Sequence, residues 1–424
     1  MHCLIQGATI IDAQSPFHLK QVDIRILNGV IDEIGEQLIT RDAQVIPMHG
    51  KYVSPGWMDM MAAFGDPGHE YRETMQTGCA AAAAGGFTAI GLLPDTQPAI
   101  HSKAEVEYII HSAAKFPVRV FPYGAVTQER SGKELTEIYD MYASGAIAFT
   151  DAPLPVKDAG IMLRSLQYVK PFSGVIINIP NDHRIVGNAN VNEGEMSVSL
   201  GMYGIPDVLE ELMVIRDIKL AEYAGSQVHI GAISSARVLP HIRDAKKRGI
   251  QVTVGVAAYQ LFYDETVLAD YNAHYKVNPP LRTVSDRNAL REAVLDGTID
   301  VICSFHQPHE NDAKDVEFEY AAFGMASLET AFGAACASIP NMTATMWVEK
   351  AAVAPRKILN VPMPVIRVGE TAEITLFDMD TTYTCTKEQL VSRSSNNPFP
   401  GETLKGKVYG IINKSTIKLN NHGK

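Results

Sequence analysis

Between residues 51 and 309 the chain repeats one theme: a short run rich in Val, Ile and Phe, a polar turn, then a stretch of helical periodicity. Eight such runs occur: KYVSPGWMDM, GFTAIGLLP, VRVFPYGAV, AIAFTDA, GVIINIP, QVHIGAI, QVTVGVAAY and DVICSFH. The segments between them include ETMQTGCAAAAAG, DVLEELMVIRDIKLAEYAG and RNALREAVLDG, the last two closed by a glycine suited to a helix C-cap. Eight strand and helix pairs spell a (β/α)8 TIM barrel, whose chemistry would sit at the C-terminal ends of the strands.

The flanks have a different period. CLIQGATIID and QVDIRILNGVIDEIG near the start, and AEITLFDMD and KGKVYGIINKSTIKL after about residue 366, alternate like antiparallel strands. The expected organisation is a barrel over 51–365, with 1–50 and 366–424 forming two parts of one small β-sandwich domain. A chain of 424 residues with 46% hydrophobic content can bury both cores. No apolar run reaches the ~18 residues a membrane span needs, and the start lacks a signal-peptide layout, so a cytoplasmic location is expected. The five cysteines, Cys3, Cys79, Cys303, Cys336 and Cys385, are scattered without metal-type spacing and read as reduced structural thiols. A formal charge of -11 without a basic stripe argues against nucleic acid and anionic membranes. Small molecules and other proteins remain as partners.

The stretches PGWMDM with DPGHEYRET, AAAAGGFTAIGLLPDTQP, NEGEMS, KVNPPLR, DGTIDVI and NPFPGETLKGKV resemble, in this order, the dihydroorotases of the amidohydrolase superfamily. The resemblance implies six metal-site positions, and here they hold other residues. Met61 and Ala63 stand at the family's His-x-His pair, Ala152 at an Asp, Ile179 and Ala232 at two His, and Phe305 at the Asp that binds metal and acts as general base. Met, Ala, Ile and Phe offer zinc no hard donor. Without metal no water is activated to hydroxide near neutral pH, and without the Asp no side chain carries the proton. The expectation is therefore a chain without a zinc cofactor.

The family's substrate contacts are also altered: Gly65 stands where the resemblance implies an Arg, and Asp95 where it implies an Asn, so a carboxylate substrate would meet a like charge. Asn278 in VNPP and His309 in QPH match the family's contacts. His69 with Glu70, Asp182 with His183, and His306 with His309 are candidates for a substitute metal site, against the plainer reading that they are ordinary loop residues. His229 is expected to face the outer helices and Asp151 to be a solvated turn residue. CAAAAAGG suits close helix packing, and GVAAYQLFYDET, with Tyr259 and Phe262, suits either a new pocket or a filled one. The leading expectation is a non-catalytic partner of aspartate transcarbamoylase, itself a homo-oligomer, as the resemblance suggests for some bacterial proteins. The alternatives are an active dihydroorotase or other cyclic-amide hydrolase with a rebuilt site, and a small-molecule sensor.

Overall fold

The computed structural model describes residues 1–40, 42–182 and 186–420. The chain opens with β1 (His2–Ile10), β2 (Gln21–Leu27), β3 (Val30–Gly35), β4 (Gln44–Pro47) and β5 (Tyr52–Pro55), which belong to one sheet. Gly7 lies where the β1–β2 register shifts; its φ is 69° and a Cβ there would stand 2.1 Å from Nδ1 of His49. Only glycine suits that bulge.

After Gly56 the chain enters the barrel. β6 (Trp57–Ala62), β7 (Phe87–Leu92) and β8 (Arg119–Pro122) run parallel. Phe149 then bridges Gly124 on one side and Ile176 on the other, so AIAFTDA supplies the fourth strand as a single bridging residue. The ring continues through β9 (Ile176–Asn178) and, after a short lateral pair β10 (Val191–Asn192) and β11 (Gly204–Ile205), through β12 (Val228–Ile230), β13 (Val252–Ala257) and β14 (Val301–Cys303). A parallel bridge between Ala62 and His306 closes it. Helices α1 (Met75–Ala84), α2 (Lys103–Ala113), α3 (Ile138–Ala143), α4 (Ala159–Val169), α5 (Glu195–Leu200), α6 (Asp207–Ala224), α7 (Leu239–Lys247), α8 (Ala258–Phe262) and α9 (Val284–Leu295) fill the connections. None of the helices among the described residues is long and apolar enough to cross a membrane.

α1 is capped by Thr74, whose hydroxyl accepts from the amide of Thr77. Its small residues allow close packing: a Cβ on Gly78 would meet the Phe64 ring at 2.6 Å, and Ala81 and Ala82 are fully buried. The barrel interior is likewise solid. Tyr123 reaches across the bare backbone of Gly91, where a Cβ would lie 1.9 Å from its hydroxyl, and donates to the Met60 carbonyl at 2.9 Å. Tyr259 is buried in the same core and Phe262 packs on Tyr263 and Phe399, so the stretch after the seventh strand fills space.

The chain returns to the first sheet in β15 (Ile374–Thr384), β16 (Thr403–Asn413) and β17 (Thr416–Leu419). β5 pairs with both β1 and β15, so the small β-sandwich extends past residue 50, to Pro55. Ile5, Ile24 and Val53 from the start and Ile374, Leu376 and Ile412 from the end share one buried cluster. The molecule is thus a TIM barrel with a small β-sandwich built from both chain ends.

A buried ion pair joins the two parts. Arg356 donates to Glu373 Oε1 at 2.6 Å and to the Gly56 carbonyl at 2.6 Å, while the Thr88 hydroxyl donates to the same carboxylate oxygen at 2.9 Å. Glu373→Ala leaves a buried guanidinium unpaired and should cost ~3–5 kcal/mol. Arg119→Ala, which removes a half-exposed partner 3.9 Å from Glu373, should cost less than ~1 kcal/mol. Denaturant midpoints of the two variants check this, and equal small shifts would contradict it.

Candidate active site at the barrel mouth

Met61, Ala63, Ala152, Ile179, Ala232 and Phe305 do gather at the C-terminal ends of the strands, and none is more than 4% exposed. Met61 Cε and Ile179 Cδ1 converge on the backbone of Gly231, where a Cβ would meet them at 3.2 and 2.9 Å. Phe305 is fully buried with φ at 49°, a left-handed conformation that a bulky side chain adopts only under constraint from its surroundings. Burying each of the larger side chains contributes ~1.5–3 kcal/mol, so the floor of the mouth is a stable apolar plug. Its donor chemistry does not fit zinc at these six positions. Among the described residues no group of three or more His, Cys, Asp or Glu is placed to hold a metal ion.

The alternative candidates separate in space. Nδ1 of His69 lies 3.1 Å from the Tyr71 hydroxyl, and exposed Glu70 accepts from the Gly68 amide at 3.0 Å, so both serve their own loop. Asp182 is buried beside Asn181, and His183 lies outside the described residues. His306 is no loop residue: its Nδ1 accepts from the amides of Ser327 and Leu328, and its Nε2 lies 3.6 Å from Glu73, both groups fully buried. Burial works against the Glu73 charge, but His306, Ser392 and Thr77 together hold its carboxyl below the usual range.

Three expectations are corrected by geometry. Asp95 is not an isolated like charge, since Arg130 meets it at 2.6 Å and Arg72 at 4.0 Å. Arg130 also reaches toward the Ala152 carbonyl at 3.5 Å, bringing positive charge to the mouth that lacks an arginine at Gly65. Asp151 is buried rather than solvated, accepting from the Thr127 amide at 3.0 Å and hydroxyl at 2.6 Å. Burial raises its pKa. His229 pairs in register with Ile177 and Thr253, and Ile177 shares its face with Met61 and Ile179, so His229 points into the barrel. Its Nδ1 contacts the Thr253 hydroxyl at 2.9 Å, and burial pushes its pKa down to about 3.

Above the plug the mouth turns polar. Both side-chain polar atoms of Asn181, Oδ1 of Asn278, Nε2 of Gln307 and Nδ1 of His309 are buried without a hydrogen-bond partner among the described residues. Asn181 and Gln307 were not singled out by the sequence; the only signal was their position, in IPND and between Phe305 and His309. His309 Nε2 donates to the Phe323 carbonyl at 2.8 Å, so its Nδ1 is a free acceptor. Lys314 and Lys276 hold the loop that carries Phe323: Lys314 donates to the carbonyls of Ala273, Lys276 and Ala322, and Lys276 to those of Phe318 and Glu319. Residues 390–398 strap this side of the mouth. Glu73 accepts from Ser392, Glu329 from the amide of Val391, and Asn396 donates to the Gln307 and Gly324 carbonyls.

Residues 50–237 match the family described as Dihydro-orotase-like. A dihydroorotase of Pelotomaculum thermopropionicum is 39% identical over 97% of this chain and 97% of its own. The chain belongs to the dihydroorotase family. A dihydroorotase of Syntrophus aciditrophicus is 38% identical, covering 96% of this chain and 97% of its own. The L-hydantoinase (dihydropyrimidinase) of Arthrobacter aurescens superposes with a TM-score of 0.85 at 20% identity, covering 98% of this chain and 96% of its own, a likeness of fold.

These relatives overturn the expectation of a non-catalytic partner protein, because chains similar over almost their full length carry the name of an enzyme. The expectation of a chain without zinc is corrected with it. It rested on six positions alone, whereas the family is the one for which the resemblance implies a metal.

The plug itself is testable. Phe305→Asp would place a carboxylate among apolar side chains, and the fold should lose several kcal/mol, of order ~3. An unchanged denaturation midpoint would show that the floor of the mouth is wet.

Proposed function

We propose that the chain is a cytoplasmic hydrolase of cyclic amides of the dihydroorotase type, taking its substrate at the polar rim of the barrel mouth. The observation that carries the reading is the set of buried, unpartnered polar atoms there. A cyclic amide presents N–H donors and C=O acceptors side by side. His309 Nδ1 and Asn278 Oδ1 can accept the former, Gln307 Nε2 can donate to the latter, and Asn181 can do both. Leaving such groups unpaired costs ~1–3 kcal/mol each, which a matching ligand would recover. Arg130 and Arg72, held by Asp95, supply positive charge for a carboxylate on the ring. Zinc would supply the hydroxide in this family, and the six positions do not fit it.

His309 has its pKa pushed down to about 4 by burial and by the charges of Lys314 and Arg72, so it stays neutral as an acceptor at pH 7. Two consequences follow from that value. Ring opening of dihydroorotate by protein grown in zinc-supplemented medium should exceed the buffer rate, with His309→Ala and Gln307→Ala each lowering kcat/KM at least ~10-fold, or ~1.4 kcal/mol. A rate equal to buffer with wild-type protein would overturn the reading. Further, the unfolded chain takes up a proton at this histidine between pH 6.5 and about 4, where the fold does not. Stability should therefore fall as pH drops through that window by up to ~3 kcal/mol, and His309→Gln should flatten that part of the profile. Identical profiles for the two proteins would contradict the assignment.

Self-association, and association with aspartate transcarbamoylase, are proposed on the resemblance alone. Light scattering of the mixed proteins tests both, with a joint peak supporting association and separate monomer peaks rejecting it.

A further inference from the structure

Outside the mouth, residues 387–400, the loop 311–316 and residues 271–274 line a half-open cavity of about 550 Å³. None of the six plug positions lines it, nor do Asn181, Asn278, Gln307 or His309. Its wall carries Lys314, Lys387 and Arg393 against one carboxylate, Asp315. Lys387 and Arg393 are exposed, and neither forms an ion pair among the described residues. Lys314 is different: its ammonium already serves three loop carbonyls, so it contributes positive field and no free donor.

A second, independent feature points to a ligand. Asn397 is 7% exposed; its Oδ1 accepts from the Phe399 amide at 2.9 Å, and its Nδ2 has no partner. The fixed oxygen leaves the NH2 as the free end of a side chain on the cavity wall. Nδ1 of His274, also on the cavity lining, is unpartnered as well among the described residues. Burial, and after it the charges of Lys314 and Lys387, lower the His274 pKa.

The backbone that displays these groups is anchored. Ser392 Oγ and the Arg393 amide donate to buried Glu73, Ser394 Oγ donates to the His309 carbonyl, and Ser395 Oγ to Asn311. An Arg fork, a Lys and a side-chain amide on one cavity wall are the donor types that suit a tetrahedral oxyanion. The volume lies within the range that holds a small metabolite, with Tyr271, Val316 and Leu390 as apolar walls.

We propose that this cavity binds a phosphate-bearing small molecule, its phosphate held by Lys387, Arg393 and the Asn397 amide. The site is separate from the barrel mouth, so the inference stands independently of the ring-opening activity.

Calorimetric titration of the full chain at ~150 mM salt, with inorganic phosphate, pyrophosphate and a nucleoside monophosphate, tests it. At least one probe should bind with a sub-millimolar Kd. The double variant Lys387→Gln with Arg393→Gln should weaken it at least ~10-fold without changing the melting temperature, since both side chains are exposed. Asp315→Asn should tighten it by removing the opposing charge. A nucleotide that binds more tightly than pyrophosphate would place the base against the apolar walls; equal affinities would mean recognition of phosphate alone. No saturable binding of any probe up to ~10 mM, or binding unchanged in the double variant, would overturn the proposal.

Discussion

The first and last strands of the barrel are locked together, and the mouth depends on that lock. Ala63 donates to the His306 carbonyl at 2.8 Å and His306 to the Met61 carbonyl at 3.1 Å. One turn deeper, fully buried Asp59 accepts from the Ser304 amide at 2.6 Å and hydroxyl at 2.7 Å. Paired hydrogen bonds of this kind in a dry interior are strong and fix register. Met61 and Ala63 at the end of one strand and Phe305, Gln307 and His309 just past the end of the other keep their relative positions because of it.

The resulting mouth has two layers of opposite character. Below lies the plug of Met61, Ile179 and Phe305, in which a donor would go unpaired. Above it lies a rim of amides and one neutral imidazole whose polar atoms are buried yet unsatisfied. A protein interior rarely keeps such atoms without a partner, and the proposed function rests on pairing them with a ligand. Lys314, with its pKa pushed down to about 7 by burial, organises the loop behind His309 and also lends its field to the cavity under the strap. The two regions thus share a support.

Much of the fold was legible because strands and helices impose different periods. Seven of the eight barrel runs became regular strands, whereas AIAFTDA contributes only Phe149, since the chain turns to bury Asp151 against Thr127. KYVSPGWMDM crosses from one sheet to the other at Gly56, a break that hydrophobic content cannot reveal. His229 was misassigned because alternation was counted through to Ala232, although the strand ends at Ile230. At the site, the six plug positions were readable from the resemblance. Asn181 and Gln307 were not, because an amide is informative only once its burial and lack of partners are known. Asp95 and Arg130 are 35 residues apart in the chain, and no local pattern links them. The six vacated positions describe one site, whereas the likeness to named dihydroorotases runs over nearly the whole chain.

The central claim is that the polar rim receives a cyclic amide. A crystal structure of the protein soaked with dihydroorotate tests it most directly. The account predicts density for the ring within ~2.7–3.2 Å of Gln307 Nε2 and His309 Nδ1, with its carboxylate toward Arg130. A saturated crystal with an empty rim, or with the ligand bound elsewhere, would contradict it.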